Sequence, residues 1–434
     1  MDTPSNRLES EVVSRLMWRL MPFLFLLYIV AYLDRINVSF GVLQMRGQLG
    51  LTERAVGRAG GIFFIGYFLF QLPSNLVLEK FGVRRWISAL MILWGIVSCF
   101  MIFIRGPISF YAMRFLLGAA EAGFFPGIIL YMKRWFPASA RAYAVAWFMT
   151  ANPLAGVIGS PISGSLLNLH GGGLSGWQWM FLIEGVPAIV LGAVVYFTLS
   201  DTPSDAHWLK TEERRWLLGK LAEEQFADTK IGLGSIGKVL LSPKIWMLSA
   251  VYFGVSTAMY GVTLWLPSVI RSISGLSYLW TGIVAVLPFL FTVIVMVIVG
   301  MRSDRKGERR WHTAISAFIA AVGLVIAGYG HSTLMVLTGI AIGLAFAEAM
   351  CGPFWAMATS RMDDISAAAG IAVINSLANL GGYFGPDIIG FFRTANGGFR
   401  GGLMAIATTL AISGIFALIV GRPSRPGRGR QAGI

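Results

Sequence analysis

The sequence predicts an all-α membrane protein with twelve transmembrane helices in two bundles of six. Three observations predict it. The 434 residues are 56% hydrophobic and 13% charged, about half the ~25% charge of soluble domains, so the chain could not cover itself with polar surface in water. Apolar runs recur along it, each near the roughly 20 residues that a bilayer core requires of a helix. Finally, the second half repeats short polar signals of the first at a fixed distance.

In order, the apolar runs cover 17–42, 55–78, 85–104, 108–131, 143–168, 178–199, 244–270, 278–300, 312–330, 333–358, 367–392 and 401–420. The first is too long for a signal peptide, carries Asp34 and Arg35, and has no small-residue cleavage site. Orientation follows from Lys and Arg. With the N-terminus inside, 26 of the 35 fall in cytoplasmic segments and 7 in outer loops, while Arg35 and Arg114 remain within the membrane. Both termini are therefore expected in the cytoplasm. The expected organisation is a cytoplasmic tail 1–16, a first bundle 17–199, a central cytoplasmic segment 200–243, a second bundle 244–420 and a basic tail 421–434.

A formal charge of +14 in a soluble protein would suggest nucleic acid. Here the basic ending Arg422–Arg430 reads as a cytoplasmic tail on anionic lipid, and no nucleic-acid partner is expected. Cys99 and Cys351 lie in apolar runs, and His170, His207, His312 and His331 are scattered. Neither a disulfide framework nor a metal site is expected. Within the central segment, Lys210–Lys220 reads as a surface helix. Gly232 to Gly237 matches the spacing of a dinucleotide fingerprint, but no strand precedes it and no βαβ unit surrounds it, so no nucleotide site is expected.

The repeat is visible at two places. Asn75 to Trp86, after the second run, contains Glu79-Lys80-Phe81-Gly82-Val83-Arg84-Arg85-Trp86, and Gly300 to Trp311, after the eighth, contains Asp304-Arg305-Lys306-Gly307-Glu308-Arg309-Arg310-Trp311. The offset is 304 − 79 = 225. In the fourth and tenth runs, Ala120-Glu121-Ala122 with Pro126 matches Ala347-Glu348-Ala349 with Pro353, at an offset of 348 − 121 = 227. Parallel six-helix repeats with a site near midplane between them are a transporter architecture.

On these residues the chain resembles the major facilitator superfamily. Tyr32-Leu33-Asp34-Arg35-Ile36-Asn37-Val38-Ser39-Phe40 in the first run is similar to the anion:cation symporter family within it, as is the stretch from Gly352-Pro353-Phe354-Trp355 through Asn375 to Gly385-Pro386. That family includes tartrate, phthalate, hydroxyphenylacetate and sugar-acid carriers. The resemblance covers residues 15 to 420. It departs at Asn75 and Glu79, which stand where Gly and Asp are usual, and at Asp387, which stands where an aromatic or apolar residue is usual.

Charged groups in hydrocarbon cost several kcal/mol and are functional candidates by default. Tyr32 and Arg35 share a helix face, while Asp34 points about 100° away. Arg114 and Glu121 are two turns apart on one face, roughly 10 Å along the axis. Two guanidinium forks facing a cavity suit a dicarboxylate or acidic sugar; alternatively, these acids and bases neutralise one another and pin helices together. The resemblance implies that Arg35 and Arg114 bind a substrate carboxylate and that Asp34 and Glu121 couple it to protons. It also implies binding positions at Tyr67, Asn152, Trp355 and Asn375, residues that would otherwise serve helix packing. Glu348 is the repeat partner of Glu121 and a further candidate for proton coupling, or it bonds backbone or a neighbour such as Asn375. Ala341, at the position matching Arg114, leaves the second half without that cation.

Glu79, Arg85, Asp304 and Arg310 are expected to gate the cytoplasmic side, and Glu184 to anchor local structure. The glycines of the fifth and eleventh runs should allow close helix contact. Trp18, Trp135, Trp177 and Trp179 should anchor at the interface. Together these expectations describe a monomeric, proton-coupled importer of a small organic anion in a bacterial cytoplasmic membrane. It would need no cofactor beyond the proton as coupling ion. An exporter or exchanger of organic anions would use the same cations. A ligand sensor would need a signalling domain that the short loops and tails do not supply. An enzyme would need a catalytic set at membrane depth, and the sequence offers none.

Overall fold

The computed structural model describes residues 4–225, 241–360 and 364–422. The Glu79 side chain, the glycine pattern at 232–237 and the basic tail beyond Arg422 lie outside the described residues. Every predicted apolar run falls largely on helix. The first occupies α1 (Pro4–Ile36) and α2 (Val38–Gln48), separated by Asn37. The second and third form α3 (Glu53–Phe81) and α4 (Val83–Phe100). The fourth is broken into α5 (Pro107–Glu121) and α6 (Phe124–Trp135), and the fifth into α7 (Ala138–Met149) and α8 (Ala151–Leu166). The sixth is α9 (Gly176–Thr198), and the expected surface helix is α10 (Thr211–Gln225).

The second half follows the same order. It contains α11 (Pro243–Ser274), α12 (Tyr278–Lys306) and α13 (Arg310–Tyr329), then a broken helix, α14 (Thr333–Ala349) with α15 (Cys351–Thr359). It closes with α16 (Asp364–Asn396) and α17 (Arg400–Val420). Among the described residues, eleven helical stretches are long and apolar enough to cross a membrane. The 33-residue α16 is not one of them, and Asn375, Asn379 and Asp387 lower its hydropathy. Large apolar side chains such as Phe197, Leu287 and Leu334 point outward and are exposed, as a lipid-facing belt requires.

Local chemistry sets the helix ends. The Thr52 hydroxyl accepts from the Ala55 N–H at 3.1 Å to start α3, and the Ser332 hydroxyl accepts from the Met335 N–H at 3.2 Å to start α14. Gly275 and Gly307, at φ 67° and 62°, end α11 and α12 in the left-handed conformation that a side chain resists.

The halves meet along two seams, α3 against α16 and α8 against α12. Glycines make the approach possible, as the sequence led us to expect for the fifth and eleventh runs. A Cβ on Gly164 of the fifth run would fall 2.6 Å from the Tyr278 carbonyl oxygen, and one on Gly390 of the eleventh 2.7 Å from that of Glu53. On Gly61 and Gly282, of the second and eighth runs, it would come as close, at 2.6 Å to the Tyr383 and 2.3 Å to the Ser160 carbonyl oxygen. On α3 the seam spans Glu53 to Phe64, and on α16 it spans Gly382 to Gly390. These stretches form the end of the molecule opposite the described termini.

Two of the four tryptophans expected at the interface are core residues instead. Trp135 is fully buried and stacks on Trp208 from the central segment, with centroids 5.6 Å apart. Trp177 is buried, and its indole N–H donates to Gln48 Oε1 at 2.7 Å. Trp18 is 81% exposed. Glu184 accepts from the Ser163 hydroxyl at 2.7 Å, a local anchor as expected.

The repeated loops are anchored by different arginines from those the sequence suggested. In the first, Arg84 donates its backbone N–H to Asp201 at 2.8 Å, and its Nε lies 3.6 Å from the same carboxylate, while Arg85 is exposed. In the second, Asp304 pairs with Arg309 at 2.5 Å and not with Arg310, which donates to the Leu418 carbonyl at 2.8 Å. Glu308 accepts from the backbone N–H groups of Trp311 and His312 and so caps α13. Burial pushes the Glu308 carboxyl up. The Trp311 N–H and the His312 ring and N–H outweigh burial and hold the carboxyl below the usual range.

Candidate functional site

A cavity of about 150 Å³ lies between the halves, lined by α1, α3, α6, α7, α8, α11, α12, α14, α15 and α16. Arg35, Tyr67, Asn152, Glu348, Trp355 and Asn375 all line it. The helical repeat explains how α1 contributes. Tyr28, Tyr32 and Arg35 recur at intervals of four and three and so share one face. Tyr28 and Arg35 reach the cavity, and Tyr32 is buried beside them with its ring 6.0 Å from the Arg35 guanidinium.

Arg35 does not stand alone. Its Nη2 donates to Glu121 Oε2 at 2.9 Å, its Nε reaches the same oxygen at 3.3 Å, and Glu121 is almost wholly buried. Glu121 is the last residue of α5, and the helix breaks at Ala122 and Gly123 before α6 resumes. Its repeat partner Glu348 is the penultimate residue of α14, just before the break at Met350 that precedes α15. Broken helices beside a cavity are the usual way membrane proteins place irregular backbone at depth. Glu348 is also buried, but among the described residues it has no ion-pair partner, and Asn375 does not bond it.

Arg114 is buried behind Arg35. It does not line the main cavity but faces a void of about 20 Å³ that Arg35 and Tyr260 also line. Its Nε donates to the Ala59 carbonyl at 3.4 Å, and its Nη1 is buried with no protein partner. Both guanidiniums lie over the Phe63 ring, Arg35 at 5.2 Å and Arg114 at 4.8 Å, close enough for cation–π attraction. Asp34 departs from the expectation. It does not line the cavity; Ser98 Oγ at 2.9 Å, Trp94 Nε1 at 3.2 Å and Asn37 Nδ2 at 3.4 Å all donate to it. The 100° between consecutive residues turns Asp34 into α4 while Arg35 faces the cavity.

Tyr260 and Asn379 also line the cavity, though sequence reasoning did not select them as site residues. At the offset of 225 between the repeated loops, Arg35 falls on Tyr260, so the repeat carried a usable signal. Asn379 stands one turn beyond Asn375 on α16 and faces the same way. Asn152 Oδ1 and Asn379 Nδ2 are buried without a protein partner. Such atoms cost free energy until something bonds them. The cavity therefore offers one cation backed by the Glu121 carboxylate, unpaired amide donors and acceptors, the buried Glu348 carboxyl and the Trp355 wall. That chemistry suits a small polar anion.

Comparison with known proteins agrees with this geometry. The profile of the Major Facilitator Superfamily matches residues 24–386. A protein of Agrobacterium vitis named "Putative tartrate transporter" is 47% identical over 97% of this chain and 93% of its own. A "Quinolone resistance transporter" of Acinetobacter baumannii is 35% identical over 95% of each. Among solved structures, a bacterial homolog of the human lysosomal transporter Spinster, inward-facing and occupied, superposes with a TM-score of 0.77. It is 18% identical, and the match covers 95% of this chain and 99% of that one, so the likeness shows the fold alone.

Proposed function

Because the chain belongs to the Major Facilitator Superfamily, we propose that this multi-pass membrane transporter imports a small organic carboxylate of the tartrate type together with protons. The observation that carries the proposal is the buried ion pair between Arg35 and Glu121 at the cavity wall. A carboxylate substrate and the Glu121 carboxylate compete for the same guanidinium fork. A proton on Glu121 removes its charge and releases Arg35 to the substrate. Deprotonation of Glu121 recaptures Arg35 and expels the substrate. Two binding events are thereby linked through one cation.

The remaining residues take supporting roles. Arg114, one ring away across Phe63, holds the second charge of a dicarboxylate. Tyr67, Asn152, Asn375 and Asn379 bond substrate hydroxyls or carboxylate oxygens, and Trp355 walls its carbon atoms. Glu348 is a second proton site, facing the substrate from the other half. Asp34 acts from behind α1, steadying the turn that presents Arg35. The bundles 17–199 and 244–420 rock about the cavity, joined by 200–243. The loops around Arg85, Asp304, Arg310 and Glu79 steady the state closed at the end bearing the termini. Twelve helices, both termini in the cytoplasm, a monomer in a bacterial cytoplasmic membrane and the proton as coupling ion complete the proposal. The distribution of Lys and Arg supports that orientation.

The test separates coupling from binding. Glu121→Gln mimics the protonated state permanently, so proteoliposomes loaded with tartrate should still exchange it. They should not accumulate it under an imposed proton gradient. Normal accumulation by Glu121→Gln would place the coupling elsewhere, with Glu348 next. A thermal-shift screen of carboxylates on the purified wild type identifies the substrate, since a ligand raises stability by mass action.

A further inference from the structure

A second cavity, of about 250 Å³, lies between the halves at the end opposite the termini. It shares no lining residue with the central cavity. Arg46 and Glu53 reach it from the first half, and Ser268, Arg271 and Arg393 from the second. Three arginines face one carboxylate, an excess of two positive charges. Glu53 spends Oε1 on both Arg46 and Arg393, the latter at 3.2 Å, and so ties the halves together.

Arg271 is different. Its guanidinium stacks 3.8 Å from the Tyr278 ring centroid, and among the described residues it donates no hydrogen bond and pairs with no carboxylate. Three polar atoms at this wall are buried without a protein partner: Arg271 Nη1, Arg393 Nη1 and Glu53 Oε2. Two are donors on cations and one is an anionic acceptor. A guanidinium left without a counter-charge in a confined space, as that of Arg271 is among the described residues, is costly unless an anion completes it. A forked cation fits a carboxylate, and a buried carboxylate oxygen calls for a donor.

We propose that this cavity is a second anion site, built for a small hydroxycarboxylate whose carboxylate sits on Arg271 and Arg393 and whose hydroxyl donates to Glu53 Oε2. The ligand bridges the halves, because its partners come from both. Occupancy therefore favours the state closed at this end, as any ligand favours the state it binds better. The site is independent of the transport reading of the central cavity.

The experiment uses the full-length purified protein carrying Arg35→Gln with Glu121→Gln, which removes the central cation together with the acid it would leave unpaired. Sodium tartrate should still raise its melting temperature saturably. Adding Arg271→Gln should weaken the half-saturating concentration by about tenfold, the consequence of losing one charge-assisted hydrogen bond. Succinate, which has no hydroxyl, should bind more weakly than tartrate, and sodium chloride at matched ionic strength should give no saturable shift. If Arg271→Gln does not fold, Arg271→Lys keeps the charge without the fork and carries the same comparison. An equal tartrate response with and without the Arg271 substitution overturns the site. An equal response to chloride overturns its ligand class. Failure of tartrate uptake by the Arg35→Gln, Glu121→Gln double mutant, with its thermal response to tartrate intact, would support the two cavities separately.

Discussion

The two halves of the molecule place an acid at the same point and use it differently. Glu121 and Glu348 each stand at the break of a corresponding helix, related by the internal repeat. Glu121 is held by Arg35, with Arg114 nearby; the matching positions in the second half are Tyr260 and Ala341. The comparison teaches that the repeat fixes where a helix opens beside the cavity, not which charge stands there. One half supplies a buried acid paired with an arginine, and the other a buried acid with no ion-pair partner among the described residues.

The largest expected effect comes from breaking the paired side. Arg35→Gln leaves Glu121 buried without its cation and should destabilise the protein by about 3–5 kcal/mol. Arg35→Gln combined with Glu121→Gln should recover most of that loss, read as melting temperature at neutral pH. A single mutant that melts like the wild type would mean that the pair carries no such load. Next, Arg114→Lys should fold and yet weaken tartrate binding by about tenfold to a hundredfold, because an ammonium cannot reproduce the fork. Isotherms equal to wild type would remove Arg114 from the site.

The unpaired side should respond more gently. Glu348→Gln breaks no ion pair, so melting should stay level or rise, whereas the pH profile of uptake should change. Early melting with a normal pH profile would make Glu348 a structural residue and erase the contrast between the halves. The loops offer the smallest effects. Arg309→Ala removes the pair with the exposed Asp304 and a hydrogen bond to the buried Ser303 hydroxyl, and should cost about 1–2 kcal/mol. Glu308→Gln weakens a helix cap worth about 1 kcal/mol. The depressed Glu308 carboxyl stabilises the fold above the ordinary range near pH ~4.3 and loses that contribution as pH falls through its lower folded value. The difference between Glu308→Gln and wild type should therefore be present at neutral pH and vanish in acid.

Much of this was legible in the sequence. Lipid must be matched by long apolar helices, so composition and run length predicted nearly every helix. Residues three, four and seven apart on one helix placed Tyr28, Tyr32 and Arg35 together. What periodicity could not reach was the far partner. It turned Asp34 away from Arg35, but only tertiary packing brings Trp94 and Ser98 to it, some sixty residues along the chain. Hydropathy marks a tryptophan at a helix end without revealing that Trp208 covers Trp135. Adjacent arginines are equivalent in a sequence pattern, yet a helix end presents them in different directions, which is why Arg84 and Arg309 found the acids.

The seams between the halves have a mechanical meaning of their own. At Gly282 the opposing surface is bare main chain, the Ser160 carbonyl and the Pro161 Cα, with no side chain there to withdraw. Parting the helices at that crossing costs contact area but requires no change of rotamer there. The same bareness makes it brittle to addition. A single methyl at Gly282 would act as a wedge, tolerable only in the conformation where the joint is already apart, so that one carbon atom could hold the protein at one end of its cycle.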